Sequence, residues 1–130
     1  MSLQLSAIAV EVNDEPWAIE PGTCAFTEGF GAALVRAAST GGEGTELIFA
    51  RDISEAMSMI KFEVPATIAN VERVRAVTAG LGVNTVQLSA NFGGRSFSRT
   101  MTQGSVVNNP EVNIGPEGTI ELEFKGNPVV

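Results

Sequence analysis

The chain contains no histidine and no tyrosine, and it has a single cysteine, Cys24. Histidine is the commonest general base and metal ligand, so its absence excludes a Ser–His triad and argues against an enzyme. One cysteine excludes an intramolecular disulfide and a cysteine-rich zinc site, and we expect Cys24 to be a small buried side chain. The composition therefore predicts a protein without catalytic residues, a metal or a cofactor.

Long apolar runs are also missing. No run of about 18 apolar residues occurs, and we expect no membrane-spanning segment. The first 14 residues lack a basic region, and their apolar run is short and interrupted, which predicts no signal peptide. These features indicate a protein that is made and folded in the cytoplasm.

Charge of one sign predominates. The 130 residues include 8 basic and 15 acidic side chains, and the formal net charge is −7. An acidic chain repels nucleic acid, so the charge argues against a DNA-binding regulator, although solubility alone explains it equally well. Hydrophobic residues make up 44% and charged residues 18%, which is typical of a globular protein, and the length suits one domain over 1–130.

Most of the chain shows the period-two alternation of β-strands. Predicted strands cover Leu3–Val12, Trp17–Ile19, Ala32–Ala38, Glu46–Asp52, Met57–Val64, Asn84–Asn91, Arg95–Val107 and Thr119–Lys125. One helix is predicted over Ile68–Ala79, where Ile68, Val71, Val74 and Val77 recur at three-residue spacing, with Thr67 as its N-cap and glycines after its end. In two of the strands the alternation also predicts which residues face inward: Ile60, Phe62 and Val64 in one, and Ile120, Leu122 and Phe124 in the other. The fold class is therefore mainly antiparallel β, a β-sandwich or partly closed barrel, with one packed α-helix over about 68–79.

A glycine-rich segment interrupts residues 32–52 and predicts a long hairpin with its tip at 39–46. Ala32–Ala38 is apolar on nearly all sides, and its alanine content would also suit a short helix. We expect a strand with the core on one face and a neighbouring subunit on the other, a preference that rests partly on the family resemblance given below. The tip is expected to be mobile. Its composition alone suits an ordinary surface loop and a contact with a neighbouring molecule equally well.

Two polar rows alternate with apolar residues near the end of the chain. Glu121 and Glu123 lie about 7 Å apart on one strand face, a separation that an inverting glycosidase could use. Lys125 continues this row, which is more typical of a solvated strand face. The second row consists of four hydroxyl side chains on one strand: Ser96, Ser98, Thr100 and Thr102.

Two segments resemble a known family. Residues 105–126 read SVVNNPEVNIGPEGTIELEFKG, a turn followed by an alternating strand. Residues 60–77 read IKFEVPATIANVERVRAV, a strand leading into a helix. Together with the size and acidity of the chain, these segments resemble tail tube proteins of tailed bacteriophages, and the stretch in which they lie, residues 60–126, is about half of the sequence.

The resemblance implies a structural subunit of a phage tail in the virion, assembled in the host cytoplasm. Its subunits would join edge strands into homo-hexameric rings with a continuous inner barrel, and the rings would stack into a tube that conducts DNA during ejection. DNA would pass without specific binding, and no membrane would be involved. Sheath, baseplate or initiator, and tail terminator proteins would be further partners.

The resemblance also suggests roles for particular residues. The expected lumen-facing residues are Glu121, Glu123, Lys125, Ser96, Ser98, Thr100 and Thr102. The expected inter-ring contact residues are Thr40, Gly41, Gly42, Glu43, Gly44, Thr45 and Glu46. One alternative is the tube subunit of a tailocin or a type VI secretion machine. Another is a monomeric carbohydrate-binding or capsid-decoration module, in which Trp17, otherwise a core anchor, would be an exposed stacking platform.

Overall fold

The computed structural model describes residues 5–39, 41–42, 44–52 and 56–127. The described strands are β1 Leu5–Val12, β2 Glu15–Trp17, β3 Ala25–Thr27, β4 Ala33–Ser39, β5 Thr45–Arg51, β6 Ser58–Pro65, β7 Asn84–Phe92, β8 Arg95–Val106 and β9 Thr119–Gly126. One helix, α1 Ile68–Ala79, lies between β6 and β7. The predicted class, mainly antiparallel β with one helix, is confirmed, and the helix has the predicted bounds.

Seven strands form one antiparallel sheet in the order β2-β1-β7-β8-β9-β6-β3, and β4 and β5 form a separate two-stranded sheet. The seven-stranded sheet folds over on itself. Trp17 on β2 packs edge-on against Phe62 on β6, with ring centroids 5.9 Å apart, and Phe26 on β3 packs against Phe97 on β8 at 5.4 Å. The strands β2, β1, β7 and β8 therefore form one layer that faces a second layer of β9, β6 and β3.

Strand β8 belongs to both layers. From Arg95 to Met101 it pairs with β7, whereas its last residues, Ser105 and Val106, pair with Lys125 and Phe124 of β9. Between these two parts the pairing with β7 is irregular, and Gln103 has a φ of 53° next to Gly104. Such an irregularity bends a strand. The bend turns the chain from one layer into the other.

The core lies between the layers and under the helix. Alternate residues of β6 and β9 fill it, and the two strands are in register from Ser58↔Gly126 to Pro65↔Thr119. The fully buried apolar side chains on these strands are Ile60, Phe62, Val64, Ile120, Leu122 and Phe124. Helix α1 adds Val74 and Val77, which are 7% and 8% exposed. The alternation therefore identified correctly which side chains of β6 and β9 face inward.

Asn84, at the start of β7, is buried and joins three parts of the fold. Its amide Nδ2 donates to the carbonyl of Val77 in α1 at 3.0 Å and to that of Gly104 at 3.2 Å. Its Oδ1 accepts from Asn13 Nδ2, in the β1–β2 turn, at 3.0 Å. This amide therefore holds the C-terminal turn of the helix against the bend of β8.

The two edge strands of the seven-stranded sheet, β2 and β3, follow each other in the chain and are connected by residues 18–24. Glu20 N–H in this connection donates to the carbonyl of Glu63 on β6 at 2.7 Å, and Thr23 Oγ1 accepts from Glu63 N–H at 3.2 Å. The connection thus covers part of β6. The sheet nevertheless does not close into a barrel, because β2 and β3 do not pair with each other.

Candidate functional site

The hairpin β4–β5 leaves the body of the domain through a constrained base. Gly29 and Gly31 have φ values of +94° and +82°, which favour glycine. A Cβ atom on Gly29 would lie 2.7 Å from the backbone nitrogen of Ser58, so no larger residue fits there without a shift of the backbone. Arg51 Nη1 donates to the carbonyl of Gly31 at 2.9 Å and closes the base of the hairpin.

Both faces of the hairpin carry exposed apolar side chains. One face pairs Val35 with Phe49, which are 58% and 70% exposed. Leu34 and Ile48 lie on the opposite face and are 53% and 42% exposed. The expectation that the core covers one face of Ala32–Ala38 is therefore wrong, since nearly every residue of β4 and β5 is exposed.

This exposure has an energetic consequence. Covering these four side chains together with Leu47, which is 56% exposed, would contribute about 1 kcal/mol each, roughly 5 kcal/mol per hairpin. A two-stranded hairpin without further packing is at best marginally stable in water. Contiguous exposed apolar surface of this kind is typical of protein–protein interaction sites. The hairpin is therefore the strongest candidate for an interaction surface among the described residues.

The predicted inter-ring contact residues lie at the tip of this hairpin. Gly41, Gly42 and Gly44 are exposed, and Thr45 and Glu46 begin β5, where they are exposed as well. Thr40 and Glu43 lie outside the described residues. The predicted hairpin is formed by β4 and β5, while the mobility of its tip and its contact with another ring stay predictions.

The four hydroxyls predicted to face a lumen lie along the outer face of β8. Ser98 pairs with Ser89 of β7, which pairs in turn with Ala9 of β1. Further along the same face, Thr100 is opposite Gln87, which is opposite Glu11. This outer face of β1, β7 and β8 is therefore built from small or uncharged polar side chains with one carboxylate, and its small side chains leave a shallow open depression.

The charged residues predicted to join that row lie elsewhere. Glu121 and Glu123 lie on the outer face of β9, opposite Glu63 and Lys61 of β6. Since β9 and the first part of β8 belong to layers that face each other across the core, their outer faces point away from each other. The seven predicted lumen residues thus form two separate surfaces that meet only near Lys125, which pairs with Ser105. Alternation assigns a residue to a face of its own strand but does not place that strand in a layer.

Two strand edges in the first layer are unpaired among the described residues. Strand β2 pairs with β1 only at Val10–Val12, so the edge of β1 on the β2 side is free over Leu5–Ala9. On the other side of the layer, β9 pairs with β8 only at Ser105 and Val106, which leaves an edge of β8 free over Arg95–Met101. Free edges present unpaired N–H and C=O groups to any strand that can align with them. Sequence reasoning did not identify these edges, because pairing partners are distant in sequence.

Three further side chains have defined surroundings. Trp17 is 5% exposed and packed against Phe62, so it is a core residue and no platform for a sugar ring. Cys24 is half-buried against the core, and burial raises the pKa of its thiol. An ion pair that the sequence did not reveal joins Arg99 Nε to Glu28 Oε1 at 3.0 Å, and the Arg99 guanidinium lies over the ring of Phe97.

Over the part of the chain that the structure describes, no three acidic or cysteine side chains are grouped so that they could hold a metal ion. No helix within the same residues has the length and apolarity needed to cross a membrane. A scan against models of known protein families gives no match, and no curated protein is significantly similar to the chain. The surfaces described above are thus the basis for a functional proposal.

Proposed function

We propose that this chain is the structural subunit of a phage tail tube, which assembles with copies of itself into stacked rings around a DNA conduit. The observation that carries the proposal is the hairpin β4–β5, whose apolar side chains are exposed on both faces. A chain with this much unpartnered apolar surface needs a partner that covers it. The resemblance of residues 60–77 and 105–126 to tail tube proteins supports the choice of further copies as that partner.

The free edges suggest how a ring could close. The β1 edge over Leu5–Ala9 and the β8 edge over Arg95–Met101 lie on opposite sides of the same layer. Pairing β8 of one copy with β1 of the next would extend the layer from subunit to subunit. A closed ring would leave neither edge exposed, which removes the risk of uncontrolled edge-to-edge association. The proposed ring is the homo-hexamer that the resemblance implies.

The outer face of the same layer suits the inside of such a ring. It carries Ser96, Ser98 and Thr100 on β8, beside the polar residues of β7. A wall of hydroxyls and amides stays hydrated, and the formal net charge of −7 opposes adhesion of DNA. In this arrangement Glu121 and Glu123 face away from the bore, and the hydroxyl side chains line it.

Electron microscopy of the purified wild-type chain at high concentration, with light scattering alongside, tests the proposal. We expect rings and hollow tubes in negative stain, and particle masses that are multiples of 13.6 kDa. Particles that remain at the mass of one chain and form no tubes would contradict the proposal. Capsid and portal genes beside the coding gene would separate a phage tail from a tailocin or a type VI secretion machine, whose tubes are the alternative assembly.

Labelling of assembled tubes tests which face lines the bore. Ser98→Cys and Glu121→Cys variants, each combined with Cys24→Ser, are treated with a small maleimide and with a bulky polymer-linked maleimide. We expect both cysteines to react with the small reagent, and only the cysteine at 121 to react rapidly with the bulky one. Equal reactivity of the two positions with the bulky reagent would contradict the proposed orientation.

A further inference from the structure

A second unpartnered apolar surface lies between helix α1 and the connection from β8 to β9. It is an open groove of about 390 Å³, and the residues that line it are mostly apolar with one arginine: Val71, Val74, Arg75, Thr78, Ala79, Pro110 and Val112. Val112 is 36% exposed, so the groove is accessible from solvent. Val71 and Thr78 come from the helix, and Pro110 and Val112 from the connection. This surface, here called the apolar groove, is large enough to receive several side chains.

The connection itself is built like an unpaired strand. Pro110 and Val112 face the apolar groove, whereas Asn109, Glu111 and Asn113 line a separate pocket on the other side. This alternation is the pattern of an extended segment. None of the backbone hydrogen bonds among the described residues involves Asn109, Glu111 or Val112. The backbone of this segment is therefore available for pairing with another strand.

The pocket on the far side of the segment is acidic. Its volume is about 240 Å³, and Glu63, Glu111 and Glu121 line it together with asparagine and threonine side chains. The hairpin carries the opposite charge at its centre, because Arg36 lies midway along β4 and is exposed. The hairpin thus presents apolar side chains and a cation, whereas the groove and the pocket beside it present apolar side chains and carboxylates. The two surfaces of the chain are therefore complementary.

We propose that the hairpin β4–β5 of one copy docks against residues 109–113 and the apolar groove of a copy in the next ring. Apolar hairpin side chains such as Phe49 would enter the groove, and Arg36 would lie near the acidic pocket. The proposal rests on the proposed tube function and adds the surface that receives the hairpin. Because the hairpin and the groove are different surfaces, the contact is heterologous and repeats from ring to ring without limit.

The dimensions are compatible with this contact. The strands of the hairpin are about 23 Å long and residues 109–113 span about 17 Å, at the usual rise per residue of a strand. A hairpin of this length presents roughly 500 Å² over its two faces, against about 800 Å² per partner in a standard interface. Six such contacts between two rings would exceed the area that a stable association needs. If two hairpins instead contacted each other, the contact would join only two copies and would leave the grooves of both uncovered.

Two variants and their mixture test the proposal. Phe49→Asp damages the hairpin, Val112→Asp damages the groove, and both side chains are exposed, so neither change disturbs the core. We expect each variant alone to form single rings that do not stack, with stacking at least about 30-fold weaker than in wild type. When the two variants are mixed one to one, the intact hairpins of Val112→Asp rings can dock into the intact grooves of Phe49→Asp rings. The mixture should give two-ring stacks that grow no further.

Leu81→Asp is the matched control, because Leu81 is 80% exposed and outside the groove lining. This control should form tubes like wild type, and failure to do so would overturn the proposal by showing that an added charge anywhere prevents stacking. Tubes formed by Val112→Asp alone would overturn the proposed groove but leave the tube function intact. Absence of rings and tubes in wild type would contradict the tube function itself.

Discussion

Replacement of Asn84 by alanine should destabilise the domain more than any other substitution of an asparagine among the described residues. Its side chain is 2% exposed and donates to the carbonyls of Val77 and Gly104 through buried hydrogen bonds of 3.0 and 3.2 Å. Alanine would leave both carbonyls buried without a donor. Each unsatisfied group costs about 1–3 kcal/mol, whereas Asn13, which loses its bond to Oδ1, is exposed and can bind water instead.

The expected loss in the free energy of unfolding is therefore about 3 kcal/mol, from two buried carbonyls at about 1.5 kcal/mol each. For a domain of this size, that loss corresponds to a fall in Tm of roughly 10 °C. The measurement is urea unfolding followed by far-UV circular dichroism, at a protein concentration too low for assembly, since association would raise the apparent stability. The transition midpoint should fall by about 1–3 M urea with an unchanged slope.

Asn109→Ala is the matched control, because Asn109 is exposed and makes no hydrogen bond in the described chain. Its effect should stay within about 0.5 kcal/mol. A loss below about 1 kcal/mol for Asn84→Ala would refute the reasoning, because it would mean that water or a shift of the helix satisfies both carbonyls at little cost.

Three further predictions concern the base of the hairpin, the cysteine and assembly. Gly29→Ala should destabilise the domain clearly more than Gly22→Ala in the same unfolding assay. Both glycines have a positive φ, but only at Gly29 would a Cβ atom meet backbone atoms. Equal effects of the two substitutions would contradict this reasoning. Burial raises the pKa of the Cys24 thiol, so a chromogenic disulfide should label it more slowly than free cysteine at neutral pH. The stability linked to its bound proton should fall as the pH rises from the unfolded-state pKa through the higher folded-state pKa, and a Cys24→Ser variant should lack this part of the pH dependence. Hydrogen exchange in β4 and β5 should be faster in the free subunit than in the tube, and equal protection in both states would contradict the proposed role of the hairpin.

Local features of the fold could be predicted from the sequence. The alternation of Ile120, Leu122 and Phe124 with charged residues identified β9 and its buried face, because a strand that covers a core on one side must alternate. The stripe of Val71, Val74 and Val77 identified α1. The same stripe begins at Ile68, which is 86% exposed, so periodicity found the helix without showing how far the core extends along it.

Features that depend on pairing between distant strands could not be predicted. The sequence of β8 does not show that it leaves β7 and joins β9, and this change of layer separates Ser98 from Glu121. The Arg99–Glu28 ion pair joins β8 to the residue that follows β3, and these two parts of the chain meet only after the sheet has folded over. Apolar residues in β4 and β5 indicated burial, but the pattern does not distinguish a core of the same chain from the surface of another chain.

The order of the strands along the chain has a consequence during synthesis. The hairpin β4–β5 is a local structure that is complete once Arg51 has left the ribosome. The two layers of the body need β8 and β9, which end at Gly126, roughly 75 residues later, or about 4–15 s at usual translation rates. During that interval an apolar hairpin is exposed on a chain that has no folded body. Nascent hairpins on neighbouring ribosomes are therefore able to associate before the body folds, and we expect premature association to begin on dense polysomes.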